Sequence, residues 1–294
     1  MRTKRPFRPV AALLAGFCLL SAPACHHKRA DETYADSAKS AFDEAMEVFD
    51  DEDYPEAIKR LTTVKNKYAY SKFAALAELR IADAYYEQDK WIEAIDAYRT
   101  FAQSRPNHGD VPYALWRMGR AYYEQIPSDF FILPPVHERD PAASKDALRA
   151  LEQYVERFPA DDHAADARER IVRCRETLAD SELYVAHFYL RDDRPVSARG
   201  RLERVVAEYA DLPDRWSEGA LLLAKVYETL GLTAEARQTA TRLAETQPSR
   251  PEADAARELL SRLPLSPTPP AASAPPSADP FAVPPPPSAA PSAG

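Results

Sequence analysis

The feature that most constrains the fold is an alanine that recurs at the same point of five related segments. The segments read YPEAIKRLTTV, WIEAIDAYRTF, SKDALRALEQY, PVSARGRLERV and TAEARQTATRL, and the marker alanines are Ala57, Ala94, Ala147, Ala198 and Ala236. They are separated by 37, 53, 51 and 38 residues. Self-similarity at such a period indicates an array of structural repeats in which each unit packs against its neighbours.

The pattern between residues 33 and 262 predicts helices throughout. Apolar residues recur at spacings of three and four, as in Ile58, Leu61 and Val64, and prolines fall between the periodic stretches. The chain has only 7 glycines, which disfavours a fold rich in tight β-turns. An all-α fold is therefore expected.

Each repeat combines small residues, an aromatic residue and a closing proline, and this pattern resembles the tetratricopeptide repeat. In the second repeat these residues are Ala82, Tyr85, Ala94 and Pro106. Small residues allow two helices to approach closely, and the aromatic ring fills the remaining gap. We expect a superhelix of about five helix pairs, closed by a capping helix after Pro251 that covers the last apolar face.

The two long spacings have different causes. The third repeat has an insertion, IPSDFFILPPVHERDP, at residues 126–141. Because Phe130 and Phe131 make it unusually apolar, the insertion either folds back into a groove or docks a partner. Between repeats three and four, the sequence predicts one long helix that continues into the first helix of repeat four. Repeats one to three then span residues 33–160, and repeats four and five with the cap span 161–262.

The N-terminus is predicted to be an export signal covering residues 1–24. It contains four basic residues, no acidic residue, and an apolar stretch at 10–20 that is too short to cross a bilayer. The following Cys25 resembles the lipidated cysteine of a bacterial lipobox, which would make residues 25–32 a lipid-attachment linker. Residues 22–24 (Ala-Pro-Ala) also fit ordinary signal cleavage, so cleavage without lipidation is the alternative.

The C-terminal residues 263–294 form a separate segment. Twelve of the 27 prolines and a single charged residue, Asp279, lie between residues 264 and 294. Such a composition cannot bury a core, so we predict a disordered or polyproline tail. It is either a passive spacer or a docking segment for a partner.

Charge and motif content exclude several functions. The formal net charge is −8. Without the four N-terminal basic residues the chain has 34 basic and 46 acidic residues, which gives −12. An acidic chain disfavours nucleic-acid binding. Glycine-rich phosphate loops and metal-protease, hydrolase or C-x-x-C motifs are absent from the sequence. We expect no catalysis, no cofactor and no metal site, and we expect Cys174 to be a buried thiol without a disulfide partner.

Counting from the marker alanines predicts an aromatic groove with one well-placed cation. Its residues, which lie on the first helices of repeats one to three, are Phe42, Phe49, Tyr86, Tyr113, Trp116, Arg120 and Tyr123. Tyrosine-rich surfaces with an arginine suit an extended peptide that has aromatic residues and a carboxylate. The alternative is that part of this stripe only packs in the core.

Several of these features together resemble the BamD family of outer-membrane assembly lipoproteins. The specific elements are Phe130-Phe131 followed by Arg139-Asp140-Pro141, and the segment SELYVAHFYLRDDRPVSARGRLERVVAEY. The resemblance covers roughly residues 30–262. It identifies Phe130, Phe131, Arg139 and Asp140 as insertion contacts.

The resemblance implies a scaffold on the periplasmic face of the outer membrane. Its N-terminal repeats would capture C-terminal aromatic signals of unfolded outer-membrane proteins. Its C-terminal repeats would hold the periplasmic domains of the barrel-forming component, beside other assembly lipoproteins. The competing hypotheses are another repeat lipoprotein that coordinates cell-envelope or peptidoglycan processes, and an enzyme whose site the sequence does not reveal.

Overall fold

The computed structural model describes residues 26–127 and 135–264. In these residues there are eleven α-helices and one short 3₁₀ turn, Val136–Glu138, and no strand. The helices are α1 His26–Asp50, α2 Tyr54–Lys67, α3 Lys72–Tyr86, α4 Trp91–Ser104, α5 Val111–Glu124, α6 Ala142–Arg157, α7 Ala164–Arg191, α8 Pro195–Glu208, α9 Pro213–Thr229, α10 Thr233–Thr246 and α11 Pro251–Arg262. The all-α tetratricopeptide-repeat class predicted from the sequence is confirmed.

The chain divides between Gln88 and Asp89 into two compact units. In the first unit, α2 packs against α1 and α3. Leu61 and Val64 on α2 are buried against small residues of the neighbouring helices, among them Ala38 and Ala77. Asp53 caps the N-terminus of α2 by accepting a hydrogen bond from the backbone N–H of Glu56 at 3.3 Å.

The second unit contains α4 to α11, and each helix packs on the next along the chain. The marker alanines of the second to fifth repeats are fully buried there, as Ala57 is in the first unit. This burial confirms that the marker position is a close-contact point between helices. The final helix α11 covers the apolar face of α9 and α10 with Ala256, Leu259 and Leu263, as predicted for a cap.

Four of the connections between successive helices contain one residue with a positive φ. These residues are Glu52, Asp89, Asp193 and Gly231, at φ 62°, 57°, 53° and 73°. Each lies five residues before a marker alanine, so the turn recurs at one repeat position. Acidic residues stand at three of the four places where glycine is usual, which partly explains the scarcity of glycine.

Two sequence predictions, one on the continuity of α7 and one on where α1 begins, have different outcomes. The long helix between repeats three and four is confirmed, because α7 runs without interruption for 28 residues. The first helix, in contrast, begins at His26 and not at residue 33. Residues 26–33 contain neither glycine nor proline, so no helix breaker separates them from the periodic stretch.

Several sequence predictions lie outside the described residues. These are the signal at 1–24, the lipid attachment at Cys25, the aromatic pair Phe130-Phe131, and nearly all of the proline-rich tail at 263–294. Each of them stays a prediction, and so does the grouping of repeats at 33–160 and 161–262.

Candidate functional site

The predicted groove residues of the first unit are engaged in packing. The ring of Phe42 lies 5.6 Å from that of Phe73, and the ring of Phe49 lies 5.3 Å from that of Tyr54. Tyr86 on α3 is only 7% exposed. Phe42 and Phe49 on α1 are thus half-buried and in contact with other rings.

The predicted groove residues of the second unit meet the start of α7. Trp116 on α5 is 8% exposed, and its indole Nε1–H donates a hydrogen bond of 2.7 Å to Asp166 Oδ2. The guanidinium of Arg120 lies 5.0 Å from the centre of the Trp116 ring. We call this group, which also contains Tyr113, Tyr123, His163 and Arg170, the α5–α7 cluster.

His163 also contacts the Trp116 ring. Its imidazole lies 3.9 Å from that ring at a tilt of 36°, and 6.1 Å from the ring of Tyr113. Asp161 orients the imidazole, since its Oδ1 is 3.1 Å from His163 Nδ1 and accepts the backbone N–H of His163 at 3.0 Å. Trp116 therefore contacts both a cation and an imidazole, while its N–H is bonded to Asp166.

Arg170 links the cluster to the end of α5. Its guanidinium lies 4.8 Å from the centre of the Tyr123 ring, 3.2 Å from Asp166 and 3.5 Å from Glu124. A cleft of about 250 Å³ opens here, lined by Tyr123, Glu124, Asp166, Glu169, Arg170 and Arg173. A cleft of this size suits one or two side chains of a peptide more than a whole small-molecule ligand.

Asp166 is the electrostatic centre of the cluster. Burial alone would raise its pKa, but hydrogen bonds from Trp116 and Arg170 and the positive charge of Arg120 outweigh burial and lower it. The carboxylate is thus ionised at neutral pH.

The sequence did not identify His163, Asp166 or Arg170 as site residues. Their spacing does indicate a shared helix face, because Asp166 and Arg170 are four residues apart near the start of α7. Nothing in the sequence, however, places this side against α5.

The insertion residues that the structure describes lie next to α6. Asp140 is exposed, and its Oδ1 accepts the backbone N–H of Ala142, the first residue of α6, at 3.0 Å. Arg139 is half-buried. Asp140 therefore has a structural role that does not require a partner.

A second and larger cleft lies between α7 and α9, and we call it the α7–α9 cleft. It has a volume of about 440 Å³ and is lined by His137, Asp180, Leu183, Tyr184, His187, Arg191 and Glu218. The sequence did not predict it, because its residues come from α7, α9 and the short turn Val136–Glu138 within the insertion. The histidines that form it are 50 residues apart in the chain.

Other functional classes receive no support from the described residues. Within 26–127 and 135–264, no group of three or more His, Cys, Asp or Glu side chains is arranged to hold a metal ion. Cys174 is fully buried, and burial raises its pKa to about 12, which opposes the thiolate that a nucleophile needs. Among the described helices, none has both the length and the apolar character that crossing a bilayer requires.

These features define an all-α repeat protein with aromatic and charged clefts. The sequence matches the model of the YfiO family, described as outer membrane lipoprotein, over residues 34–243. The chain belongs to this family, and the resemblance to BamD proteins noted from the sequence is confirmed.

Two relatives and one solved structure illustrate what the chain is similar to. The outer membrane protein assembly factor BamD of Neisseria meningitidis serogroup A is 28% identical over 73% of this chain and 81% of its own length. BamD of Xylella fastidiosa (strain Temecula1) is 25% identical over 79% of this chain and 80% of its own length. A tetratricopeptide repeat protein from Parabacteroides merdae, of known structure, is 14% identical and aligns with a TM-score of 0.36 over 76% of this chain and 83% of that one.

Proposed function

We propose that this chain is a non-catalytic scaffold and receptor in the assembly of outer-membrane β-barrel proteins. It captures C-terminal signals of unfolded outer-membrane proteins and binds the periplasmic domains of the barrel-forming component, beside other assembly lipoproteins. The observation that supports this function best is membership of the YfiO family across 34–243, with relatives that are named assembly factors.

The place of signal capture is the α5–α7 cluster of the second unit. The half-buried rings of Tyr113 and Tyr123 offer aromatic surface beside the buried Trp116, and Arg120 and Arg170 offer cations that an aromatic peptide with a carboxylate can use. Because Asp166 holds these cations in the unbound protein, we expect capture to be an exchange of one carboxylate for another. Such an exchange favours moderate affinity and reversible release.

The protein is held on the periplasmic face of the outer membrane by a lipid on Cys25. Several acyl chains at one residue give durable attachment, which one chain does not. Mass spectrometry of the mature N-terminus tests this point. An unmodified Cys25 thiol would disprove the anchor and leave the rest of the proposal intact.

Copurification from solubilised outer membranes tests the main function. We expect a tagged chain to recover the barrel-forming component at a stoichiometric level. Recovery of peptidoglycan-processing enzymes without that component would favour the alternative, a repeat lipoprotein that coordinates cell-envelope processes.

Substitutions in the cluster test the capture site. The variants Trp116→Phe and Arg120→Gln should weaken binding of a C-terminal outer-membrane peptide by about tenfold, since each removes a charge-assisted or cation–π contact. The matched control is Trp216→Phe, since Trp216 is also buried, also lies under an arginine at 5.1 Å, and donates its N–H to Val206 O at 3.2 Å. Equal binding by Trp116→Phe, Arg120→Gln and Trp216→Phe would reject the site.

A further inference from the structure

The α7–α9 cleft has the dimensions of a binding site. Its volume of about 440 Å³ lies within the range of roughly 300–1,000 Å³ that is typical of ligand pockets. Its floor includes Leu183, which is 4% exposed, and its wall includes the half-buried ring of Tyr184. The cleft is separate from the α5–α7 cluster and is not needed for the capture proposed there.

The acidic groups of the cleft already have partners. Asp180 accepts two hydrogen bonds from Arg215, at 2.9 and 3.2 Å, and Glu218 Oε1 lies 2.8 Å from His187 Nε2. Glu176, beside the cleft, lies 3.9 Å from the same Arg215. Each of these carboxylates therefore already has a neighbouring side chain of this chain as its partner.

Arg191 differs from these groups. It is the last residue of α7 and is exposed, and within the described parts of the chain it has no ion pair and no side-chain hydrogen bond. The nearby Asp192 pairs with Arg194 at 3.7 Å, which leaves the guanidinium of Arg191 without that neighbour. Among the described residues that line the cleft, Arg191 is therefore the cation without an ion pair or a side-chain hydrogen bond.

Tyr184, His187 and Arg191 follow one face of α7, because they are three and four residues apart. The imidazole of His137 packs edge-on against the Tyr184 ring, with centroids 5.8 Å apart. One end of the cleft is thus aromatic and the other is cationic. The seven residues from Tyr184 to Arg191 correspond to about 10 Å along the helix axis.

We propose that the α7–α9 cleft binds an extended segment of a partner protein that has an aromatic residue and an acidic residue three positions apart. The aromatic side chain lies against Tyr184 and His137, and the acidic side chain pairs with Arg191. Three residues of polyproline II or extended chain span about 9–10 Å, which matches the two ends of the cleft. In polyproline II, residues three positions apart also share a face.

Fluorescence anisotropy with capped, labelled peptides tests this proposal on the full-length protein in detergent. The probe is a Ser/Gly peptide with Phe and Asp three positions apart. Its companions have Lys for Asp, Ala for Phe, or Phe and Asp two positions apart. The capped ends exclude binding through a terminal carboxylate. We expect micromolar binding of the probe and about tenfold weaker binding of each companion.

Variants of the protein locate the contact. Arg191→Gln should weaken binding of the probe by about tenfold. This variant should also no longer prefer the probe over the companion peptide that has Lys in place of Asp. Tyr184→Leu should remove the preference for Phe over Ala. The control is Lys225→Gln, an exposed cation of α9 outside the cleft, which should bind as the parent does. Helical content measured by circular dichroism confirms that each variant is folded.

Three results would overturn the proposal. One is equal or tighter binding of the Lys companion, which would mark a site for basic segments. Another is unchanged binding by Arg191→Gln. The last is absence of probe binding at about millimolar concentration. None of these results bears on copurification with the barrel-forming component, so the two proposals fail independently.

Discussion

Gly219 on α9 lies so close to Val205 on α8 that a methyl group at position 219 would come within 2.5 Å of Val205 Cγ1 and 3.1 Å of its Cβ. Valine has one strongly preferred rotamer in a helix, so it cannot turn away. The free energy of unfolding of Gly219→Ala should fall by about 1–3 kcal/mol, even though alanine is the better helix former. Urea unfolding measures this change.

The control for this prediction is Gly200→Ala on α8, where a Cβ would meet no atom within 4 Å. That variant should gain about 0.5–1 kcal/mol from helix propensity alone. A second substitution, Val205→Ala, should reduce the penalty at Gly219 by making room. Strictly additive effects of the two substitutions would contradict the contact.

At the positive-φ position of the connections, replacing glycine and introducing glycine should have opposite effects on stability. Gly231→Ala should cost about 1 kcal/mol, because a Cβ is disfavoured at φ 73°. Asp193→Gly, at φ 53°, should be neutral or stabilising by up to about 1 kcal/mol. Thermal unfolding measures both changes. Gly109→Ala, where a Cβ meets open space and φ is not in the left-handed region, is the control and should not destabilise the chain.

Ser217 on α9 is fully buried, and its Oγ has no hydrogen-bond partner among the described residues. A buried hydroxyl without a partner is costly, so Ser217→Ala should raise the free energy of unfolding by about 0.5–2 kcal/mol. Ser217→Thr keeps the hydroxyl and adds a methyl group to a filled space, so it should be destabilising. A loss of stability in Ser217→Ala would indicate that the hydroxyl has a partner after all.

Asp166 should make stability depend on pH in the acid range. Its folded-state pKa is lowered, so the unfolded chain binds the proton more readily than the folded chain does. The stabilisation is complete above the ordinary aspartate range near pH 4 and is lost as the pH falls through the lowered pKa. Asp166→Asn should therefore be less stable than the parent at neutral pH, and the difference should shrink on acidification.

Denaturant midpoints measured between neutral pH and about pH 2 test this dependence. The control is Asp254→Asn, since Asp254 is exposed and pairs only with Arg257 on its own helix. It should change stability by less than about 0.5 kcal/mol. A difference between Asp166→Asn and the parent that does not vary with pH would exclude the ionised carboxylate as its source.

Cys174 should not react with a thiol reagent at about pH 8 while the protein is folded, because burial removes access and raises its pKa to about 12. Ellman's reagent on protein that lacks residues 1–25 measures this directly. Unfolding in urea should expose one reactive thiol. The control replaces Cys174 by Ala and places a cysteine at Val172, which is 44% exposed and should react at once. Rapid labelling of folded Cys174 would mean that α7 opens locally.

The sequence predicted the fold well because each repeat is determined locally. A buried alanine at a fixed offset, with prolines between helices, was sufficient to assign the helix pairs, and the long α7 followed from an uninterrupted apolar period. The start of α1 was wrong because no residue between 26 and 33 stops a helix or marks its beginning.

The candidate site was predicted only in part. The α5 residues Trp116, Arg120 and Tyr123 could be found by counting along one helix. Their partners Asp166 and Arg170 are on another helix, α7, which is more than 40 residues further along the chain. Chain positions do not specify which side of α7 meets α5, so the internal carboxylate was not foreseen.

The continuous helix α7 fixes the angle about its own axis between two contact faces, one near its start and one near its end. Ala167 near its start packs with α5 and α6, and Leu183 and Ala186 near its end pack with α8 and α9. Adding one residue between them would rotate one face by about 100° relative to the other and separate the apolar contacts from their partners. Insertions of about seven residues would nearly restore the phase. Length variation among relatives should therefore occur in the connection from α5 to α6, whereas α7 should change only by near-whole turns.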